Sequence, residues 1–298
     1  MAFSSTDAAF EGFRIARERP VAVLVWAAVY LVVSVIAMAI AAGLVGGDAV
    51  QKLNAAMAGD PAPEEVMAVL PTFMTFYGVM APFALVLQST LGAAIYRTVL
   101  RPEENASFFL RLGADEVRLL LVNVILSVMI GLGAGVVFAV AGALAGALAV
   151  VGGFLGGFVG FLVIVAALGA VVFAAVRLSL AGPITFGERQ IAVVRSWGLT
   201  KGRFWPLLGA YVLAAAMAVV VALLGMVVFT GLAAVLGGGL QAAGEAQAFD
   251  PSDLGSILSS PLTLAFVVFS ALMSTLQMVI LGGVFAHAYA QLRGPAAA

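Results

Sequence analysis

Long stretches without a charged residue make up most of the chain, at residues 20–47, 66–96, 119–176, 204–244 and 254–292. A helix that spans the hydrocarbon core of a bilayer needs about 20 consecutive apolar residues. The stretch 119–176 is long enough for two such helices, and the glycine-rich segment Gly152–Gly157 predicts a reversal of the chain between them. The pattern therefore predicts six transmembrane helices, at roughly 21–46, 68–97, 119–149, 153–180, 206–236 and 261–290.

Amphipathic segments precede three of the predicted spans. In the first segment, the spacing of Ser4 and Asp7 is typical of a helix cap. The segment 102–118 separates apolar from charged side chains in the same way. In the third segment, Thr185 and Glu188 have the spacing of a capping box and predict the start of a helix. We expect each segment to form a cytoplasmic amphipathic helix that lies at the membrane interface.

The order of these elements suggests three copies of one unit. Each unit has a glycine followed five positions later by an arginine, just before an outgoing span: Gly12 and Arg17, Gly113 and Arg118, Gly198 and Arg203. The returning spans end at Arg97, Arg177 and His287. We interpret the chain as one all-α polytopic membrane domain, 1–298, built from three parallel helical-hairpin repeats, 1–100, 101–182 and 183–298. Chance alignment of short, common residues is the alternative.

Composition agrees with a membrane protein. Hydrophobic residues make up 63% of the chain and charged residues 10%, and the mean hydropathy is +1.16. A soluble domain carries about 25% charged residues. These values exclude a soluble globular protein, a disordered chain and a nucleic-acid-binding protein, so we expect no nucleic-acid partner.

The distribution of charge predicts the orientation of the chain. Of the 14 basic residues, 13 lie in the segments on the side of the two termini, and only Lys52 lies on the other side. Basic residues are retained in the cytoplasm, so both termini are expected there. Arginine outnumbers lysine twelve to two, which is typical of GC-rich bacterial coding. We therefore expect a multi-pass protein of the bacterial inner membrane.

The inventory of reactive side chains argues against an enzyme. The chain has no cysteine and a single histidine, His287, which excludes thiolate chemistry and any pair of histidine ligands. No carboxylate lies in the core of a predicted span, where ion-coupled carriers usually have one. We expect no catalytic residues, no metal and no cofactor.

Small residues recur along the two central spans. Such spacing allows helix backbones to approach closely within lipid. We expect Gly135 and Gly142, in particular, to lie against another helix. The helix-packing candidates are Gly131, Gly135, Gly142, Gly146, Gly152, Gly156 and Gly160.

A dense group of basic and aromatic residues lies between the fourth and fifth predicted spans. Cations and indole rings at the inner leaflet suit anionic lipid headgroups. Ordinary anchoring of the chain at the interface is the alternative. The candidate headgroup-binding residues are Arg177, Arg195, Trp197, Lys201, Arg203 and Trp205.

This region also resembles a known family. The run RLSLAGP at 177–183, then Glu188, then the run RSWGLTKGRFW at 195–205, is similar to bacterial membrane proteins grouped as the glycerophosphoryl diester phosphodiesterase membrane domain. The resemblance implies a multi-pass inner-membrane module that some relatives carry beside a soluble phosphodiesterase. That enzyme is a TIM barrel with histidines and carboxylates around a divalent metal. With one histidine here, we expect the diesterase domain and its activity to be absent.

These observations favour a non-enzymatic protein of envelope or membrane organisation that engages anionic phospholipid at its cytoplasmic side. The alternative is a transporter or channel for a small or lipidic solute, with a central cavity between the repeats. Membrane phospholipid is the expected partner, and self-association of the chain stays open.

The predicted orientation can be tested by labelling single cysteines, because the chain contains none. An impermeant maleimide is expected to label Met57→Cys and Gln247→Cys in intact cells. It is expected to label Glu104→Cys only after the cells are permeabilised. Labelling of Glu104→Cys in intact cells would contradict the six-span topology.

Overall fold

The computed structural model describes residues 3–46, 63–237, 239–247 and 259–293, together with residues 49 and 255. Regular structure in this part of the chain is helical, which confirms the all-α class. Five of its helical segments are long and apolar enough to cross a membrane. Most of the loops predicted on the side opposite the termini lie outside the described residues, among them Asp48, Lys52, Asp60, Asp250 and Asp253.

Long helices alternate with short ones along the chain. The described α-helices are α1 (Ser5–Glu18), α2 (Pro20–Val45), α3 (Pro63–Leu100), α4 (Ala114–Leu178), α5 (Ala181–Glu188), α6 (Val193–Leu199), α7 (Phe204–Gly237), α8 (Leu240–Gln247) and α9 (Pro261–Arg293). The long helices begin and end within about five residues of the predicted spans. Pro20 is the first residue of α2, a position that suits proline because its missing N–H has no helical partner there.

The chain reverses its direction inside α4. Gly153 has φ 52° and ψ −134°, which interrupts the helical dihedrals. A Cβ atom at Gly156 would overlap the carbonyl oxygen of Leu148, and one at Gly160 would lie 2.9 Å from the carbonyl oxygen of Ala145. In a continuous helix, which rises 1.5 Å per residue, the second pair would be about 22 Å apart. The residues 114–152 and 154–178 are therefore two arms that fold back on each other, and the reversal lies within the predicted segment.

Only two of the seven candidate packing glycines lie where the two arms of α4 approach each other closely. Within the described chain, an added Cβ meets no atom within 4 Å at Gly131, Gly135, Gly142, Gly146 or Gly152. These five glycines are exposed, whereas Gly156 and Gly160 are buried. No described residue lies against Gly135 or Gly142, so the expectation that they pack against another helix stays a prediction. The two arms of α4 approach each other closely near the reversal, at Gly156 and Gly160, and the other candidate glycines lie outside this contact.

The segment 102–118 is not one amphipathic helix. Ser107, Phe108 and Phe109 have left-handed backbone dihedrals, with φ of 53°, 56° and 66°, and they form a tight turn. The next α-helix begins at Ala114. The carboxylate of Glu116 caps its start by accepting a hydrogen bond from the Gly113 N–H at 2.9 Å. The interfacial-helix prediction is therefore wrong for most of this segment.

The helix cap predicted for the first interfacial segment is present, and the one predicted for the third segment is not. The Ser4 hydroxyl accepts a hydrogen bond from the Asp7 N–H at 3.3 Å, as predicted for a cap of α1. The predicted capping box at Thr185 and Glu188 is wrong, because both residues lie inside α5, which ends at Glu188. The Thr185 hydroxyl instead accepts a hydrogen bond from the Ala192 N–H at 3.3 Å, just before α6 begins.

The chain divides into two compact units. The first comprises Met1–Glu11, Gly92–Ala214 and Gly282–Ala298, and the second comprises Gly12–Leu91 and Ala215–Leu281. In the first unit, Leu180, Ile184, Leu207, Ala288 and Tyr289 share a core. In the second unit, Phe229 and Ala233 of α7 pack against Leu262, Phe266 and Phe269 of α9. These units do not coincide with the boundaries of the predicted repeats, which stay a prediction.

The contact between the two arms of α4 predicts which glycine tolerates a side chain. Gly156→Leu is expected to lower the melting temperature in detergent, because the added side chain would overlap the Leu148 carbonyl. Gly142→Leu is the matched control and is expected to melt like the wild type, since its added side chain meets open space. Equal melting of the two variants would contradict the described reversal.

Candidate lipid headgroup site

Arg177 lies in the last turn of α4, where its guanidinium group contacts α6 and neighbouring rings. Its Nη1 lies 3.4 Å from the carbonyl oxygen of Trp197 and 3.4 Å from the hydroxyl oxygen of Thr200. The guanidinium carbon is 5.2 Å from the centre of the Phe173 ring and 5.4 Å from that of Trp197. These are distances at which a cation is attracted to the face of an aromatic ring. Arg177 is therefore held in place by both polar and aromatic contacts.

The backbone around Arg177 is fixed by two buried hydroxyl groups, Ser196 in α6 and Thr200 directly after it. The Ser196 hydroxyl donates to the Arg177 carbonyl at 2.7 Å and accepts from the Leu180 N–H at 3.2 Å. The Thr200 hydroxyl donates to the Ser196 carbonyl at 2.8 Å and also lies 3.3 Å from the Arg177 carbonyl. Because both hydroxyl groups are fully buried, these bonds replace hydration that the backbone groups have lost. They fix α6 to the end of α4.

Four aromatic rings form a row beside Arg177. The ring centres of Trp197 and Phe173 are 5.8 Å apart, those of Phe173 and Phe204 are 5.2 Å apart, and those of Phe204 and Trp205 are 5.2 Å apart. Trp197 is 43% exposed and Trp205 is 77% exposed. Indole rings favour the headgroup layer, where an apolar ring face meets lipid and the N–H meets water. The row therefore presents a surface that suits a membrane interface.

The other predicted cations take different positions. Arg195 forms an exposed ion pair with Glu188 and does not converge on Arg177. Lys201 and Arg203 are exposed, and no acidic group in the described residues lies within ion-pair distance of either. The structure thus brings Arg177, Trp197 and, through the aromatic row, Trp205 together. It leaves Lys201 and Arg203 as uncompensated surface cations.

One donor of Arg177 has no partner. Its Nε is buried and makes no hydrogen bond within the described part of the chain. A guanidinium group with an unused N–H donor binds carboxylate or phosphate oxygens well, because its planar donors match their geometry. The site offers N–H donors and ring faces, which are groups suited to holding an anionic headgroup.

Sequence reasoning missed three residues that build this site. Phe173 precedes Arg177 by four positions, so both must lie on one face of a helix. Ser196 and Thr200 have the same four-residue spacing. Helical spacing could therefore have identified each pair, although not the contact between the two pairs.

Comparisons with known proteins give no further guide to the site. Neither the family models, nor the curated proteins, nor the solved structures contain a match to this chain.

The two kinds of contact at α6 are expected to differ in strength. Ser196→Ala should lower the free energy of unfolding by about 1–3 kcal/mol, because it leaves the buried Leu180 N–H without a partner. Arg195→Gln removes only an exposed ion pair and should cost about 1 kcal/mol or less. Unfolding of both variants by denaturant in mixed micelles would measure the difference. A larger cost for Arg195→Gln would contradict this assignment.

Proposed function

We propose that this protein is a six-span protein of the bacterial inner membrane, with both termini in the cytoplasm, that binds anionic phospholipid and organises the membrane without catalysing a reaction. The reversal at Gly153 supports the sixth span. It divides α4 into two arms, each longer than the ~20 residues that a span requires. The side rich in basic residues then carries Arg177 and the short helices α5 and α6.

The guanidinium group of Arg177 has no carboxylate among its described contacts and an Nε without a hydrogen bond, and this is the observation that carries the lipid-binding proposal. The guanidinium carbon lies within 5.4 Å of the centres of the Phe173 and Trp197 rings, close to the predicted headgroup layer. Each cation near an anionic leaflet contributes about 1 kcal/mol. The exposed cations Lys201 and Arg203 add to this attraction because no described carboxylate neutralises them. A phosphate group of a lipid can accept a hydrogen bond from Arg177 while the indoles contact its acyl region.

The threefold repeat is part of the same proposal, and the ends of the returning segments support it. Arg97 Nη1 donates to the carbonyl oxygen of Phe109, and Arg177 Nη1 lies within hydrogen-bond distance of the carbonyl oxygen of Trp197. Each guanidinium group thus contacts the backbone of the segment that follows it. His287, the third equivalent residue, lies 3.0 Å from the carboxylate of Glu11 through its Nδ1. These three positions all anchor a neighbouring segment.

A relationship to the membrane modules of glycerophosphoryl diester phosphodiesterases is part of the proposal, and the resemblance over 177–205 supports it. The residues that carry the resemblance now have a structural role. Ser196, Trp197 and Thr200 bind Arg177, and Glu188 binds Arg195. The diesterase reaction is not part of the proposal, since a single histidine does not supply the ligand set of that enzyme.

Transport of a small or lipidic solute is the second candidate function. A cavity of about 320 Å³ within the second unit favours it. Apolar side chains form most of the lining, and Tyr30, Ser34 and Gln88 contribute polar groups. Ligand sites commonly combine an apolar lining with a few polar groups in this way. A transport role predicts that Gln88→Leu abolishes solute flux in proteoliposomes and leaves the lipid bound at Arg177 unchanged.

The lipid-binding proposal predicts a loss of co-purified lipid. Arg177→Gln and Arg203→Gln should each lower the amount of bound anionic lipid in native mass spectrometry. The expected reduction in affinity is about fivefold each, which corresponds to ~1 kcal/mol. Arg17→Gln is the matched control, because Arg17 is also an exposed arginine but lies outside the site. Retention of the wild-type lipid complement by the double variant would show that the cluster only anchors the chain.

A further inference from the structure

A second cluster of charges surrounds Glu104, between α3 and α4. The Glu104 carboxylate lies 3.4 Å from Arg97 Nε, 3.8 Å from Arg101 Nη1, 3.4 Å from Arg111 Nη1 and 3.9 Å from Arg189 Nη2. Charge-assisted hydrogen bonds are shorter, at about 2.7–2.9 Å. Glu104 is therefore shared among four guanidinium groups without a close bond to any of them.

The other two carboxylates of this cluster are firmly paired. Asp115 binds Arg101 at 2.9 Å and Arg118 at 2.7 Å. Glu116 binds the buried Arg97 at 2.6 Å. Because these distances are those of strong ion pairs, Asp115 and Glu116 have fixed positions. Glu104 is the carboxylate of this cluster that can move aside at a small cost.

A polar cavity of about 640 Å³ is lined by Arg97, Arg111, Arg118 and Arg189. Arg97 lies at its base, is only 1% exposed, and has a buried Nε that makes no hydrogen bond in the described chain. Arg111 and Arg189 lie at its rim with side chains that are 48% and 62% exposed. The cavity therefore combines a buried donor with cations that a ligand can reach from outside.

The backbone around this cavity is unusual. The non-glycine residues with positive φ in the described chain are Ser107, Phe108, Phe109 and Arg189. Ser107 and Arg189 line the cavity, and the Phe109 carbonyl accepts a hydrogen bond from Arg97. Left-handed backbone is strained at such residues and is often found where a ligand is held. The turn holds its shape through the buried bond to Arg97.

We propose that this cavity, which we call the Glu104 cavity, binds a phosphate dianion, and that the Glu104 carboxylate occupies the phosphate position when no ligand is present. The lining contains four arginines and three carboxylates. When Glu104 moves aside, the remaining lining carries two positive charges in excess, which a phosphomonoester balances. The three terminal oxygens of a phosphomonoester can also accept hydrogen bonds from several guanidinium groups at once.

The ligand is defined by its phosphomonoester group, whether this belongs to a lipid headgroup or to a soluble phosphate. A phosphodiester lipid carries one negative charge and leaves one cation uncompensated. The Glu104 cavity thus differs from the Arg177 site, which needs only a single anionic headgroup. This proposal is independent of the proposed function, since the two sites share no residue.

The test measures the binding of defined phosphates to the full chain at pH 8. Inorganic phosphate is titrated into detergent-solubilised protein in a calorimeter, at constant ionic strength with chloride. The lipid arm compares nanodiscs that contain phosphatidic acid, a phosphomonoester, with nanodiscs that contain the same fraction of phosphatidylglycerol, a phosphodiester. We expect saturable binding of inorganic phosphate and a preference for phosphatidic acid if the source is a lipid.

Substitutions then test whether binding occurs in the Glu104 cavity. Arg111→Gln and Arg189→Gln should each weaken phosphate binding about tenfold, because each removes a rim cation. Glu104→Gln should strengthen it about tenfold, because the competing carboxylate loses its charge. The controls are Glu103→Gln, an adjacent exposed carboxylate, and Arg17→Gln, an exposed arginine outside the cavity. Both should bind phosphate within twofold of the wild type.

Each outcome is informative. Competition between inorganic phosphate and phosphatidic acid supports a lipid source, and phosphate binding that phosphatidic acid does not affect supports a soluble source. The proposal is overturned if neither probe binds saturably to the wild type or to Glu104→Gln. It is also overturned if Glu103→Gln strengthens binding as much as Glu104→Gln, because the effect would then be one of net charge alone. Melting curves of all variants confirm that each is folded.

Discussion

The buried ion pair between Arg97 and Glu116 is the interaction on which the first unit depends. It joins the last turn of α3 to the first turn of α4 at 2.6 Å, with both side chains almost fully buried. Arg97 also donates to the Phe109 carbonyl, which fixes the intervening turn. Its guanidinium carbon lies 5.3 Å from the ring centre of Phe186, which ties α5 to the same point. Loss of one partner of such a pair costs about 3–5 kcal/mol, because the other charge stays buried and unpaired.

Arg177 also joins the end of a long helix to the segment that follows it, but its partners are weaker than those of Arg97. There, a partly buried arginine contacts a backbone carbonyl, a hydroxyl group and two aromatic rings, with no carboxylate among these partners. The two arginines therefore differ in how their charge is compensated. Arg97 is neutralised by Glu116 and stabilises the fold, whereas Arg177 keeps its net charge at a surface with exposed indoles. The second arrangement leaves the guanidinium group without a carboxylate partner among its described contacts.

The glycines of α4 share a sequence pattern but differ in their contacts. Pairs of glycines four residues apart occur on both arms, but of the candidate packing glycines only Gly156 and Gly160 lie against backbone of the opposite arm. The others form an exposed strip along the first arm. A pattern of small residues indicates that the backbone of another helix can approach closely without a steric clash. Whether a helix approaches depends on the direction in which the partner chain leaves the reversal at Gly153.

The sequence by itself determined the all-α class, the long helices to within about five residues and the reversal near Gly153, because a chain in lipid must satisfy its backbone hydrogen bonds within each helix. Charge and hydropathy along the chain therefore suffice to locate helices. Only the tertiary structure decided that Ser107, Phe108 and Phe109 form a left-handed turn, that Arg195 pairs with Glu188, and that four arginines surround Glu104. Some of the contacts in this region join distant positions, as in the ion pair of Arg189 with Glu104 and the bond from Arg101 to the Phe186 carbonyl. Local patterns do not contain them, because side-chain pairing depends on which helix ends meet in space.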